Sequence, residues 1–147
     1  IYYPLIKKYI SSFENFGSKI LDLNTNEIYK LKINKELINF ATGGTKGIPE
    51  ITRKIILEKF NANFKRYFIG SAGVETLMLV NNEVDFIFHG RVTPWDHSPM
   101  TLIIKEAGGE VLMFNNASTF NVFSKGPILA AKNIEHWKHV KSKLNIN

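Results

Sequence analysis

Pro94-Trp95-Asp96-His97-Ser98-Pro99-Met100-Thr101-Leu102-Ile103-Ile104-Lys105-Glu106-Ala107-Gly108-Gly109 is the stretch from which the rest of the chain is read. A helix is expected to begin near Asp96 and to end at Gly108-Gly109, because glycine terminates helices without a Cβ penalty. An Asp at a loop-to-helix junction is an ordinary N-cap. The same position also holds a carboxylate on a rigid element with one oxygen free, which suits a hard Mg²⁺ ion. Trp95 is expected to pack and fix the direction of Asp96, and Pro94 to stiffen the approach.

Upstream of this motif, Val84–His89 alternates as a strand, and His89 and Arg91 flank Gly90 at its end. Before it, Arg66–Ile69 reads as a short strand. Gly70-Ser71-Ala72-Gly73 then opens a helix through Val80. Small residues at a strand-to-helix turn let a phosphate or sugar approach backbone N–H groups; close helix packing explains the same pattern equally well. Thr42-Gly43-Gly44-Thr45-Lys46-Gly47 reads as a glycine-rich flexible loop. It is not a P-loop, since the spacing to a Lys-Ser/Thr pair is wrong. Pro49 suits the first position of a helix running to about Asn61, with Ile51, Ile55 and Phe60 near one face.

Residues 1–41 read as β structure, in short aromatic and β-branched runs at Tyr9–Phe13, Glu27–Ile33 and Leu37–Thr42. Turns are expected at Gly17-Ser18 and Asn24-Thr25-Asn26. Downstream, Glu110–Phe114 and Ile128–Ala131 read as strands, and Asn133 as the cap of a last helix carrying Trp137, Val140 and Leu144. The later part alternates strand and helix, so the class is α/β or mixed α+β, with residues 1–147 as one domain. Glu75, Glu83 and Asp85 are expected to face solvent, His136 and His139 to lie on an exposed helical face, and Glu106 to be a helix-end residue. No pair of histidines has a zinc spacing, and there is no nucleophile elbow or Ser/His/Asp arrangement.

Composition narrows the classes further. The chain has 147 residues, 44% of them hydrophobic, enough for one domain with its own core. It has no cysteine, which excludes disulfides, thiolate zinc sites and a cysteine nucleophile, and fits a reducing, cytoplasmic setting. The net charge is +6. The cations are scattered as on solvated helix faces, and no motif supports a nucleic-acid surface; an anionic small substrate also suits a positive field. No run reaches the roughly 18 apolar residues of a membrane span, and no signal peptide is visible. Ile1-Tyr2-Tyr3-Pro4 lacks an initiator Met and reads as a strand already in progress, as a fragment would.

Taken together, Trp95-Asp96 followed by Glu106-Ala107-Gly108-Gly109 resembles the C-terminal signature of the inositol monophosphatase family, W-D-x-A-A-G, a hydrophobic stretch, then E-A-G-G. Gly70-Ser71-Ala72 resembles the family's G-[TS]-A turn, Ile1-Tyr2-Tyr3-Pro4 its I-Y-x-P strand, Ser12–Ser18 the stretch running into its G-A turn, and Ile128–Asn133 its late x-I-A-A-N strand. The resemblance implies the C-terminal part of a layered α/β sandwich, of the inositol monophosphatase and fructose-1,6-bisphosphatase type. It implies a Mg²⁺-dependent phosphomonoesterase in which metal-activated water attacks a sugar, inositol or related phosphate. By the same resemblance Asp96 would ligate the metal and lie close to the substrate. Gly70, Ser71 and Ala72 would contact the substrate, and His89 would stand where inositol-specific members carry a Glu that holds a ring hydroxyl.

Three departures qualify this. The family's other metal ligands lie in an upstream Glu and a D-P-[IL]-D-G-[TS] motif, and this chain contains neither Asp-Pro nor Asp-Gly. Asp96 alone does not hold a catalytic Mg²⁺, so the chain is expected to be inactive by itself and to leave a hydrophobic face exposed. Ser98-Pro99-Met100 replaces A-A-G. His89, with Arg91 nearby, suits a substrate carrying more negative charge than inositol phosphate. The expected partners are a small phosphorylated substrate and a second copy in a homodimer, with no nucleic acid or membrane. The alternative is a non-catalytic domain that keeps the fold and binds a phosphorylated ligand or a partner protein.

Overall fold

Phe86–His89 sits at the centre of the second of two sheets, and its side chains alternate between two separate cores. Phe86 and Phe88 enter one core and Ile87 the other. The computed structural model describes residues 1–144. Its strands are β1 (Tyr2–Tyr3), β2 (Lys8–Phe13), β3 (Gly17–Asp22), β4 (Glu27–Lys30), β5 (Phe40–Gly44), β6 (Lys65–Tyr67), β7 (Phe86–His89), β8 (Glu110–Met113) and β9 (Ile128–Ala131). Its helices are α1 (Glu50–Asn63), α2 (Ala72–Val80), α3 (Pro94–Glu106) and α4 (Ile134–Leu144).

The first sheet is an antiparallel meander, β1-β2-β3-β4. The second has the order β6-β5-β7-β9-β8. Within it β5 runs parallel to β6 and β7, and β9 runs antiparallel to β7 and β8. Helices α2 and α3 fill the space between the sheets, α3 against β2, β3 and β8 and α2 against β5 and β7. Helices α1 and α4 cover the outer face of the second sheet. This is the layered α/β sandwich expected from the sequence. The second sheet is buried on both faces, so β7, expected to alternate, is buried at Phe86, Ile87 and Phe88 alike, and β9 is buried throughout.

The meander is pinned to α3 by polar contacts at both ends of the helix stop. Glu106 accepts from the amides of Asn15 (2.9 Å) and Gly17 (2.8 Å), and these two bonds hold its carboxyl below the usual range. The buried Ser18 hydroxyl donates to the Ile103 carbonyl at 2.8 Å. The two glycines of the stop serve different needs. Gly108 takes φ +92° with nothing near its missing Cβ, so conformation selects it. A Cβ on Gly109 would stand 2.7–2.9 Å from Ile104, Ile33 and the Ala131 carbonyl, so space selects it.

Several expectations are corrected. Gly17-Ser18 opens β3, and the turn lies one step earlier at residues 14–16, where Asn15 adopts φ 66°. Thr42-Gly43-Gly44 is the buried end of β5 rather than a flexible loop. Ile51 is 79% exposed, and Ile56 and Phe60 carry the buried face of α1. Helix α3 starts at Pro94, two residues before Asp96, and continues through Pro99 beyond the first turn, with Met100 accommodated in the core. Trp95 is 75% exposed and does not pack over Asp96.

The largest corrections concern charge. Glu75 and Asp85 are buried, as is His136, while Glu83 and His139 face solvent as expected. Asp85 forms an ion pair with Lys132 at 2.8 Å, both side chains almost fully enclosed. Asp85 also accepts from the amides of Ile38 and Asn39, and the Lys132 ammonium donates to the Glu36 carbonyl. The pair therefore fastens residues 36–39, the connection between the sheets, to β9. Asn133 caps α4 as expected, its side chain accepting from the His136 amide at 2.8 Å. Burial pushes the His136 imidazole below its ordinary range. Large apolar side chains do stand in water on the meander and its turns, among them Leu5, Phe13, Phe16 and Ile28.

Candidate active site

The ends of β5 and β7 and the starts of α2 and α3 converge on one open pocket of about 300 Å³. Gly70, Ala72, Glu75, His89, Asp96 and His97 border it, together with Lys46 and Arg91 at its rim. Strand ends facing helix starts are where α/β folds bind ligands, because free helix amides and loop side chains meet there.

Asp96 is the third residue of α3. The residue before the helix, Thr93, donates its hydroxyl to Asp96 Oδ2 at 2.7 Å. This leaves Oδ1 without a partner among the described residues, at the exposed edge of the pocket. A carboxylate in the first helical turn is favoured by the positive end of the helix. The N-cap position is Thr93 rather than Asp96, and neither side chain bonds a helix amide.

At α2, Ser71 is the N-cap, its hydroxyl accepting weakly from the Val74 amide at 3.4 Å. The amides of Ala72 and Gly73 lie at the open end of that helix. Gly70 takes φ +76° and gives its own amide to Glu75 Oε1 at 3.3 Å. Of the sequence-selected residues, the structure brings Gly70, Ala72, His89 and Asp96 to the pocket lining, whereas Ser71 supports it from the helix cap.

Behind the lining runs a chain of hydrogen bonds that the sequence did not disclose. Glu75 Oε2 meets His89 Nε2 at 2.5 Å, His89 Nδ1 meets His97 Nε2 at 2.9 Å, and His97 Nδ1 lies 3.0 Å from the Thr93 amide. Burial holds the His97 imidazole below its usual range, more than the Thr93 contact raises it, so it is neutral. His97 Nδ1 lies 3.0 Å from both the Thr93 amide and the Thr93 carbonyl, so its role depends on the tautomer. In the assignment in which the Thr93 amide donates to His97 Nδ1, His97 Nε2–H donates to His89 Nδ1, and His89 Nε2–H donates to the Glu75 carboxylate. Glu75 Oε1 accepts in addition from the Thr42 hydroxyl at 3.0 Å. Four elements are tied into one wall: β5 through Thr42, α2 through Glu75, β7 through His89 and α3 through His97. Both ring nitrogens of His89 are committed within it.

Glu75 was legible in principle, being the single charge in the otherwise apolar helix Ala72–Val80. A lone carboxylate there needs a buried donor, and the histidine at the end of an adjacent strand supplies it. His97 and Lys46 offered no comparable signal.

The inositol monophosphatase family model matches residues 1–145. The chain belongs to the inositol monophosphatase family. It is 34% identical over 91 residues to a Thermotoga maritima protein named fructose-1,6-bisphosphatase/inositol-1-monophosphatase, covering 61% of this chain and 35% of that protein. It is 26% identical over 140 residues to the Nus factor SuhB of Pasteurella multocida, covering 89% of this chain and 49% of the relative. Among solved structures, the inositol monophosphatase of Anabaena superposes with a TM-score of 0.78 at 16% identity, over 98% of this chain and 59% of that one. The Zymomonas mobilis inositol monophosphatase gives 0.82 at 12% identity, over 99% and 56%. At such identities these structures establish the fold. The chain thus spans no more than about half the length of these curated relatives, and somewhat more than half of the solved chains. Among the described residues of this family member, no helix is long and apolar enough to cross a membrane.

Mg²⁺ takes hard oxygen ligands. Asp96 fits as one hard oxygen ligand, since Oδ1 is free and Thr93 orients the other oxygen. Among the described residues no group of three or more His, Cys, Asp or Glu comes together to hold a metal. The described residues thus offer Mg²⁺ one carboxylate with a free oxygen in this pocket, and an ion there would take its remaining oxygens from other sources.

Proposed function

We propose that this chain forms the substrate-side half of a Mg²⁺-dependent phosphomonoesterase site acting on a sugar, inositol or related phosphate, and that by itself it binds but does not turn over its ligand. The observation carrying this reading is the juxtaposition of Asp96, with Oδ1 free, and the open amide end of α2 across one pocket. Family membership supports the phosphatase chemistry.

In this reading the amides at the start of α2, reached past Gly70, Ser71 and Ala72, take phosphate oxygens. Thr93 holds the Asp96 carboxylate in one orientation, so its free oxygen needs little reorganisation to serve as a ligand. When bound, Mg²⁺ supplies charge neutralisation at the phosphate oxygens and an activated water. His89 forms the wall against which the substrate body rests. The Glu75–His89–His97 chain holds that wall at fixed depth beneath the pocket.

The test is binding of inorganic phosphate to the 147-residue chain with and without Mg²⁺, by calorimetry. Mg²⁺ should strengthen binding, and Asp96→Asn should weaken the Mg²⁺-dependent part by about 10-fold or more, since even indirect supports of metal ligands cost that much. Turnover of phosphomonoesters should be absent. Robust Mg²⁺-dependent hydrolysis by the chain alone would refute the half-site. Phosphate binding indifferent to both Mg²⁺ and Asp96 would favour the non-catalytic, ligand-binding reading.

A further inference from the structure

Phe68 borders the pocket and is nevertheless 73% exposed. It follows the last residue of β6, on the short connection that leads to Gly70 and the start of α2. Its neighbour Tyr67 has a partner, stacked on Phe40 with ring centroids 5.3 Å apart and planes 11° from parallel. Among the described residues Phe68 has no such ring partner and no cation over its face.

Two glycines set its place. β6 pairs with β5 as far as Tyr67 opposite Thr42, so the next residue passes beside the end of β5. There the ring Cε2 lies 3.5 Å from where a Gly44 Cβ would stand, and Cζ lies 3.7 Å from the same position on Gly70. The far edge of the ring thus rests on the bare backbone of both glycines, and most of its surface stays open at the pocket mouth. Gly70 leads directly into the amides at the start of α2, so a group touching the ring lies next to whatever those amides hold.

The other rings of the lining are already engaged. His89 and His97 meet edge to face at 5.1 Å, and the two His89 nitrogens are bonded, one to Glu75 and one to His97. A substrate hydroxyl arriving at the floor finds no free ring nitrogen on His89. The pocket is therefore equipped to read the body of its ligand through apolar contact at Phe68 rather than through hydrogen bonds at His89. An exposed aromatic ring gains from a second ring in two ways, by shedding water and by the stacked or edge-on geometry of the pair.

We propose that Phe68 is a specificity platform, and that the ligand is a phosphomonoester whose alcohol carries an aromatic ring close to the ester oxygen. This rests on the phosphatase reading for the phosphate and adds the class of the alcohol. A ring so placed packs on Phe68 while its phosphate reaches the amides of α2. A polyhydroxylated ring in the same place gives up water around hydroxyls that face a hydrocarbon surface, and it recovers no bond there.

The experiment compares benzyl phosphate, ethyl phosphate and myo-inositol 1-phosphate binding to the 147-residue chain in Mg²⁺ at fixed ionic strength, by calorimetry. Benzyl phosphate should bind about 10-fold tighter than ethyl phosphate, the yield of burying one ring against another. The inositol phosphate should bind no tighter than ethyl phosphate. Phe68→Ala should reduce the benzyl-to-ethyl ratio to about twofold or less, and Phe68→Tyr, which keeps the ring, should retain it. The exposure of the side chain lets both variants fold, which circular dichroism and the unfolding midpoint would verify. Equal binding of the benzyl and ethyl esters, with Mg²⁺ dependence intact, overturns the platform alone, as does tighter binding of the inositol phosphate than of the benzyl ester. A benzyl preference that survives Phe68→Ala overturns it too, since another surface then reads the ring. So does a change in sedimentation of Phe68→Ala with the preference unaltered, since the side chain then serves a contact between copies. A preference that depends on Phe68 but ignores Mg²⁺ and Asp96 keeps the platform and removes the phosphatase reading. Absence of binding by all three esters removes both.

Discussion

Gly43→Ala is expected to destabilise the chain by on the order of 3–5 kcal/mol, or to prevent folding, although it adds a single methyl group. Gly43 lies in β5 at φ +120°, facing Phe88 of the neighbouring β7. A Cβ there would stand 2.0 Å from the Phe88 carbonyl oxygen and 2.8 Å from its carbonyl carbon and amide nitrogen. These are backbone atoms of the central strand, whose side chain is enclosed in the outer core, so neither partner can retreat. Gly108→Ala is the control. It has a similarly positive φ of +92° but open space around the missing Cβ, so only conformational strain of about 1–2 kcal/mol is expected. Urea unfolding of the two variants separates steric exclusion from strain. Similar midpoints for both would contradict the close approach of β5 and β7.

Asp85→Ala should cost about 3–5 kcal/mol, the usual result of leaving a buried charge without its partner. Lys132 would keep only the Glu36 carbonyl, and the amides of Ile38 and Asn39 would lose their acceptor. Lys132→Met alone should cost a comparable amount by stranding the carboxylate. The double variant should be less damaging than the sum of the two, because no isolated charge remains. It should still fall short of the parent, because the orphaned amides at residues 38 and 39 persist. A thermal or urea double-mutant cycle reads the coupling directly. Additive single costs would show that the two side chains do not interact in solution as the 2.8 Å contact requires.

These two sites also show what sequence reasoning reaches and what it does not. The helix stop at Gly108-Gly109, the small-residue entry to α2 and the strand Ile128–Ala131 were readable because each follows from local chemistry: a left-handed φ, an open helix end, an apolar run. The signature around Trp95-Asp96 added the family and the layered fold. Charges were misread wherever the partner is distant in the chain. Asp85 and Lys132 are separated in the chain by β7, α3, β8 and β9, and Glu75 meets His89 and Thr42 from other elements. A charged residue looks solvent-facing until its partner is known. Thr42-Gly43-Gly44 was misread for the converse reason. Its glycines mark a close backbone crossing, which local composition cannot distinguish from a flexible turn. Within the site, Asp96, Gly70, Ala72 and His89 were legible as a set, while the wall behind them and the cations at its rim depend on three-dimensional convergence.

The outward position of Trp95 has a practical consequence. The chain has two tryptophans, and their surroundings are opposites. Trp95 stands 75% in water beside the Asp96 carboxylate, while Trp137 is 2% exposed, bonded to the Leu129 carbonyl and covered by the Lys141 ammonium. Their emission therefore separates into a water-quenchable component on the first turn of α3 and a sheltered component in the outer core. Unfolding of the outer core changes one indole and not the other, so the unlabelled chain carries its own internal optical reference.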